Sequence, residues 1–481
     1  MLIADQYNYD KKHKTAIGSG TINSRNEVRM EPLFSGKDLR RLIIPLIFEQ
    51  ALAITVGMAD TMMISSVGEA AVSGVSLVDM INMLMFNILA ALATGGAVVT
   101  SQCLGARRKD NARKSAKQLL YTVICAGVLI GIIVILFRKP MLRLFFGRIE
   151  ADVMDNALIY LTISAFSFPF LAVYNACAAL FRSMGNSKVT LKVSILINLV
   201  NVIGNAVCIF GLHMGAAGVA LPSLISRAIG SIILYFLLRN PGLDICFLRE
   251  PFHPDFGMVK KILYIGIPSG VENGIFQLGR VLVVSIISGF GTVQIAANGV
   301  ANNLDSVGIL IGNAVNLAMI TVIGQCVGAG DEKQIRFYTK RLLAITYIPT
   351  VLLNLVLFLN LDWILGLYGL SVETTNLART LIFIHNGCAC LLWPLSFTFP
   401  NMLRACNDVR YTMIVSIASM FIFRIGFSYL IGVQMGYGAI GVWIAMVLDW
   451  CCRIVCFITR YLHGKWRTMA GLTAAAPPSP R

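Results

Sequence analysis

The chain has 481 residues, of which 57% are apolar and only 13% charged, with a mean hydropathy of +0.74. A soluble chain of this size carries about a quarter charged residues, so a two-domain soluble enzyme is disfavoured before any motif is read. The formal charge of +16 is a matter of where the basic residues fall along the chain.

The first forty residues are polar and basic, with Lys11, Lys12, Lys14, Arg25, Arg29, Lys37, Arg40 and Arg41 ahead of the first apolar run. That stretch is too long and irregular for a signal-peptide n-region, so the first span is expected to stay in the mature chain. A bilayer core requires about 20 mostly apolar residues per helix. Windows of that size give spans near 42–64, 77–101, 118–137, 156–181, 189–211 and 216–238, then 262–288, 298–323, 342–361, 380–402, 411–433 and 438–460. The fold class is therefore an all-α polytopic membrane protein of twelve transmembrane helices in two pseudo-symmetric six-helix lobes. Its divisions are a tail over 1–41, a lobe over 42–240, a linker over 241–261, a lobe over 262–462 and a tail over 463–481. Both tail ends, the second from Ala474 to Arg481, are expected to be disordered.

By these spans 29 of the 40 Lys and Arg residues fall on one side of the membrane, which places both termini in the cytoplasm by the positive-inside rule. Topology thus accounts for the basic charge, and no nucleic-acid partner is expected. Most of the twelve cysteines lie inside apolar runs (Cys125, Cys177, Cys208, Cys388, Cys390, Cys451, Cys452, Cys456) and read as small reduced hydrophobes.

The two halves repeat at an offset near 223. Gln102-Cys103-Leu104-Gly105-Ala106 matches Gln325-Cys326-Val327-Gly328-Ala329, Phe181-Arg182 matches Leu403-Arg404, and Pro45-x-x-x-Glu49 is echoed by Pro268-x-x-x-Glu272. Six spans per half give both halves the same direction across the membrane, so they are parallel repeats about an axis along its normal. Such repeats enclose a site at their interface and alternate its access by rocking. The Arg239-Asn240-Pro241-Gly242 stretch opens the cytoplasmic linker.

Ionisable groups inside spans are costly and usually functional. Glu49 and Asp60 lie about 12 and 28 Å beyond Arg41 along span 1 and, about three turns apart, share one face. Pro45, one turn before Glu49, marks a bend point. Asp60 is the candidate for the coupling proton or sodium, against a buried carboxylate paired with an arginine. Glu49 and Glu272 are either coupling or gating groups or a structural hydrogen-bonding device at the lobe interface. Asn198, Asn201 and Asn205 sit on span 5, Asn201 and Asn205 one turn apart; their oxygens suit a cation, their amides helix contacts. In the second half Arg424 falls where Asn201 falls in the first, and Arg280 lies two turns beyond Glu272. A fixed guanidinium there, with Glu272 as counter-charge, is expected to fill the space of the first lobe's cation site. Asp449 and Arg453, one turn apart on span 12, read as a structural pair. His385 beside Asn386 reads as a hydrogen-bonded core histidine.

No P-loop, Gly-x-Ser-x-Gly or His-Glu-x-x-His occurs, so neither ATP-driven transport by this chain alone nor those enzymes fit. Gly289-Phe290-Gly291 is expected in a short external turn without a following helix N-terminus suited to phosphate. A duplicated channel or receptor is disfavoured by the repeat and by the lack of a filter-like loop.

Taken together, Pro45 with Ala59-Asp60-Thr61, the paired Gln-Cys-x-Gly-Ala segments, Leu180-Phe181-Arg182-Ser183-Met184-Gly185-Asn186 and Leu403-Arg404-Ala405-Cys406-Asn407-Asp408 resemble the multidrug and toxic compound extrusion (MATE) transporters over about 40–460. The resemblance implies twelve helices around a central cleft, a cell-membrane location, no cofactor, and export of cationic or amphipathic compounds against inward sodium or protons by a chain that functions as a monomer. It also implies a cation site at Asp60, Asn201, Asn205 and Ser223, with Asp60 and Asn201 as metal ligands if sodium is the ion. Where the family pattern has an aspartate the chain has Asn205, and Ser223 stands where threonine is usual. The family's second-lobe glutamate falls at Phe276, so Glu272 is no direct equivalent. A lipid-linked saccharide flippase shares the architecture and is the alternative, with Arg280 and Arg424 as its cavity bases.

Overall fold

In the computed structural model the described residues are 32–147, 150–247 and 253–472; the calls on the outermost tails fall outside them. Twelve helices long and apolar enough to span a bilayer run through the described residues. In the first half these are α1 (Gly36–Ser65), α2 (Glu69–Gly105), α3 (Lys109–Phe146), α4 (Ala151–Ser183), α5 (Ser187–Gly211) and α6 (Ala217–Leu237). In the second they are α7 (Phe256–Ser288), α8 (Thr292–Gly308 and Leu310–Gly328), α9 (Glu332–Leu359), α10 (Val372–Ala405), α11 (Val409–Gln434) and α12 (Gly438–Leu462). Short helices Leu361–Gly366 and Lys465–Met469 follow α9 and α12.

Several ends follow from local chemistry. Ser35 and Asp38 form a capping box that starts α1, satisfying two backbone amides that would otherwise be orphaned. Asp255 and Asp331 cap α7 and α9 through the amides of Met258 and Gln334. Pro45 and Pro268 lie inside continuous helices. Their neighbours face lipid: Phe48 and Ile267 are more than half exposed, as expected of apolar side chains whose solvent is hydrocarbon.

Two boundaries differ from expectation. The linker ends early, because α7 begins at Phe256. Span 8 is two helices, broken at Ile309. The buried amide of Asn354 donates to the Gly308 carbonyl across 3.1 Å, so a side chain satisfies a carbonyl at the break. Gly291 precedes a helix N-terminus, since α8 starts at Thr292; φ of +99° at Gly291 is a conformation that favours glycine.

The halves interlock. α1 packs on α5 of its own half and on the second piece of α8, and α7 packs on α11 of its own half and on α2. Leu39, Leu42, Ile43 and Leu46 are accordingly buried with Ala314, Val315 and Met319 of the second half. Ile262 and Ile265 are buried with the core of the first. Each half thus lends the tail-side end of its first helix to the other.

Candidate functional site

The four residues expected to form the first-lobe cation site come together as one chain of hydrogen bonds. Asn205 Nδ2 donates to Asp60 Oδ1 at 2.7 Å and, more weakly at 3.5 Å, to Asn201 Oδ1. Asn201 Nδ2 donates to Ser223 Oγ at 2.9 Å. The local sequence does this: Asn201 and Asn205 fall on one face of α5 one turn apart, and both are buried. Asp60, on the far half of α1, is half-buried, and among the described residues no basic side chain forms an ion pair with it. Asn205 Oδ1 is buried and without a donor. A buried acceptor with no donor costs about 1–3 kcal/mol; beside an unpaired carboxylate it suits a cation. Among the described residues no group of three or more His, Cys, Asp and Glu side chains could hold a metal ion, so an ion here would be held mainly by amide and hydroxyl oxygens.

Around this chain lie an acid that the sequence reading missed and an arginine of the sixth span. Asp79 of α2 accepts from Tyr160 Oη at 3.0 Å. Arg227 of α6 donates to Ser167 Oγ at 2.6 Å and covers the Phe86 ring at 4.5 Å. Asp79 is an acid inside the drawn span 77–101, and the rule that singled out Asp60 points to it equally.

Glu49 and Glu272 are in ion pairs. Arg182 Nη1 lies 3.7 Å from Glu49 Oε1, and Thr190 Oγ1 donates to Glu49 Oε2 at 3.1 Å. In the second half Arg404 Nη2 lies 2.7 Å from Glu272 Oε1. The two repeated motifs of the sequence, Pro-x-x-x-Glu and the arginines of Phe181-Arg182 and Leu403-Arg404, are therefore the two sides of one repeated ion pair. This corrects the expectation that Arg424 is the counter-charge of Glu272. Arg404 reaches it first, and the Arg424 guanidinium instead lies 5.1 Å over the Phe276 ring. Arg280 does line a pocket with Arg424. Asp449 and Arg453 pair as read, at 2.9 Å. His385 is buried between Trp443 and Trp450, with ring centroids 5.4 and 4.9 Å away. It lies 2.9 Å from Asn386 Oδ1 and also contacts Asp305, an acid within the drawn span 298–323 that the sequence reading passed over.

The repeated Gln-Cys-x-Gly-Ala segments meet on the tail side. Gln102 Nε2 donates to the Ala405 carbonyl at 2.9 Å, and Gln325 Nε2 to the Ser183 carbonyl at 2.8 Å. Each glutamine thus crosses to the other half. The backbones touch so closely that a Cβ on Gly105 would sit 1.9 Å from the Gln325 oxygen, and one on Gly328 1.9 Å from the Gln102 oxygen. Beside this contact lies a cavity of about 650 Å³, lined among others by Gln102, Cys103, Lys261, Tyr264, Gly328 and Asn407.

Two interlocked six-helix halves, a polar chain in one lobe and a repeated closure on one side define a polytopic membrane transporter. The chain belongs to the MatE family, whose model matches residues 45–207 and 268–430, one copy in each half. It is thus a multidrug and toxic compound extrusion family transporter and not an enzyme. It is 28% identical over 463 residues to the "Uncharacterized transporter YisQ" of Bacillus subtilis, covering 94% of this chain and 98% of that one. It is 24% identical to the "Probable multidrug resistance protein NorM" of Thermotoga maritima, over 91% of this chain and 94% of that one. Its fold matches a solved structure described as the outward-facing conformation of a multidrug resistance MATE family transporter, with a TM-score of 0.83 at 20% identity, over 91% and 96% of the two chains. The solved structure is described as a MATE transporter and the Thermotoga maritima relative as a probable multidrug resistance protein, which does not favour the flippase reading.

Proposed function

We propose that the chain is a secondary active antiporter of the cell membrane. It exports cationic or amphipathic organic compounds in exchange for protons or sodium ions and works as a single chain with both termini in the cytoplasm. The observation that carries this reading is the Asp60–Asn205–Asn201–Ser223 chain, with a carboxylate that has only an amide for a partner.

In the cycle, a proton or sodium ion enters from the far side and settles on Asp60 beside the free Asn205 oxygen. With its charge neutralised, the carboxylate no longer holds α1 against α5 in the same way, and substrate leaves the cleft outward. The lobes then rock, the tail-side closure at Gln102 and Gln325 opens, and substrate reloads from the cytoplasm. Exchange requires ion and substrate to bind the two arrangements unequally, since a ligand held equally by both shifts neither. Glu49 and Glu272, paired with Arg182 and Arg404, keep the tail-side frame of each lobe rather than carry the ion.

The test is uptake of a fluorescent organic cation into proteoliposomes under an imposed proton or sodium gradient, one at a time. Gradient-driven movement names the ion. Movement of neither kind under both gradients contradicts the antiporter.

A further inference from the structure

The second lobe carries a pocket of about 70 Å³ lined by Arg280, Asn298, Asn302, Arg424, Trp443 and Met446, together with Val283, Val284 and Val442. Arg424 is 8% exposed, its Nη1 is buried without an acceptor, and among the described residues neither guanidinium makes a side-chain hydrogen bond or ion pair. The neighbouring charges are already committed. Arg404 holds Glu272 at 2.7 Å, Arg453 holds Asp449 at 2.9 Å, and Asp305 is in contact with His385. Two arginines thus remain on one pocket wall with no acid within ion-pair distance among the described residues, although Asp305 and Asp449 act on Arg424 from farther away.

The internal repeat makes the pocket more informative. The offset near 223 carries Asp60, Asn201 and Ser223 onto Val283, Arg424 and Met446, all three of which line this pocket. The place that holds a carboxylate and its amides in the first lobe therefore holds a guanidinium among apolar groups in the second. Burying an unpaired guanidinium is costly, and a pocket of about 70 Å³ has room for an anion of about carboxylate size. It is too small for the body of a drug-sized molecule, so only an end group of such a ligand would enter it. Arg424 lies in a stretch, Met420–Gly426, where the helix is widened to π-type turns, a feature frequent at functional sites. Asn298 is turned to Trp443, accepting its indole N–H at 3.0 Å, which fixes the indole as one wall.

We infer that this pocket is a subsite for the carboxylate of the transported compound, so that the preferred substrates are amphipaths bearing a free carboxylate, zwitterions included, held by Arg424 and Arg280. The inference rests on the transport reading above and refines its substrate class. Arginine recognises carboxylates through paired, charge-assisted bonds. The flexible side chain of the exposed Arg280 suits a group that closes over the ligand, while the buried Arg424 is fixed.

The test uses the purified full-length chain and a matched pair of dyes, a zwitterionic rhodamine with a free carboxylate and its methyl ester, with equilibrium binding read by fluorescence polarisation. The carboxylate dye should bind about ten-fold or more tighter than the ester, as expected for one added charged hydrogen-bonded contact. Arg424→Gln and Arg280→Gln should each bring it towards the affinity of the ester. An unchanged size-exclusion profile and melting temperature of both variants shows that they are folded. Equal affinities of wild type for the two dyes, no saturable binding of the carboxylate dye, or variants that weaken both dyes alike would overturn the subsite. Preference for the carboxylate dye in binding, with no gradient-driven movement of either dye, would uphold the subsite and overturn the antiport reading instead.

Discussion

Arg404 Nη2 lies 2.7 Å from Glu272 Oε1, a pair in which Glu272 is buried and Arg404 is 16% exposed at its side chain. Asn401 accepts a second bond from Arg404 at 2.6 Å, so the guanidinium is held from two sides. The equivalent pair in the first half, Arg182 with Glu49, is looser at 3.7 Å. Removing one member of a buried pair strands the other, which costs about 3–5 kcal/mol. Arg404→Ala is therefore expected to lower the melting temperature of the detergent-solubilised chain markedly, and the double variant Arg404→Leu/Glu272→Leu by much less. Thermal unfolding followed by size-exclusion chromatography reads this. Equal losses in the single and double variants would contradict it.

The contact of Gly105 with Gln325, and of Gly328 with Gln102, admits no Cβ without backbone movement. Gly105→Ala should push the halves apart on the tail side and shift the population away from the closure seen in the structure. On a cysteine-free background, spin labels at Lys114 and Lys340, both exposed, are expected to report a longer mean distance in the variant. An unchanged distance distribution would show that the contact does not set the closure.

Gly308 ends the first piece of α8 where Asn354 and Asn386 converge. A Cβ there would meet Asn354 Oδ1 at 2.6 Å and Asn386 Nδ2 at 2.8 Å. Overpacking of this kind costs about 1–3 kcal/mol, so Gly308→Ala should destabilise the chain, whereas Gly299→Ala, with open space at its Cβ, should not. Thermal unfolding of the two variants side by side checks this.

Asn205 stands where the resembled family carries an aspartate. Asn205→Asp would place a second carboxylate beside Asp60, whose Oδ1 lies 2.7 Å from the present Asn205 Nδ2, and so concentrate negative charge among oxygens suited to a hard cation. Sodium dependence of transport is expected to appear or to steepen, with half-maximal rate at roughly ten-fold lower sodium or less, a factor worth about 1.4 kcal/mol. Transport rate against sodium concentration at fixed pH measures it.

Much of this was legible in the sequence because it is periodic. The twelve apolar windows, the offset near 223 and the one-turn spacing of Asn201 and Asn205 all survive folding, as do the places of Asp60 and Ser223. What sequence could not supply was which repeated arginine meets which repeated glutamate. Glu272 lies 132 residues from Arg404, and only packing of α7 near the end of α10 brings them together, leaving Arg424 over Phe276. The break at Ile309 was hidden because an apolar window cannot register a helix interrupted by a side-chain bond from Asn354. Asp79 and Asp305 were visible as letters inside drawn spans. Neither is marked by the repeat, because the offset of 223 carries Asp79 onto Asn302 and Asp305 back onto Asn82.

The central claim is that Asp60 couples the ion to the substrate, and gradient-driven uptake by proteoliposomes, wild type against Asp60→Asn, tests it most directly. The amide keeps the size of the side chain and loses its charge. Gradient-driven uptake of an organic cation is expected to fall to the level of empty liposomes in the variant, while the purified variant still binds the substrate. Wild-type uptake by Asp60→Asn under the same gradient would contradict it.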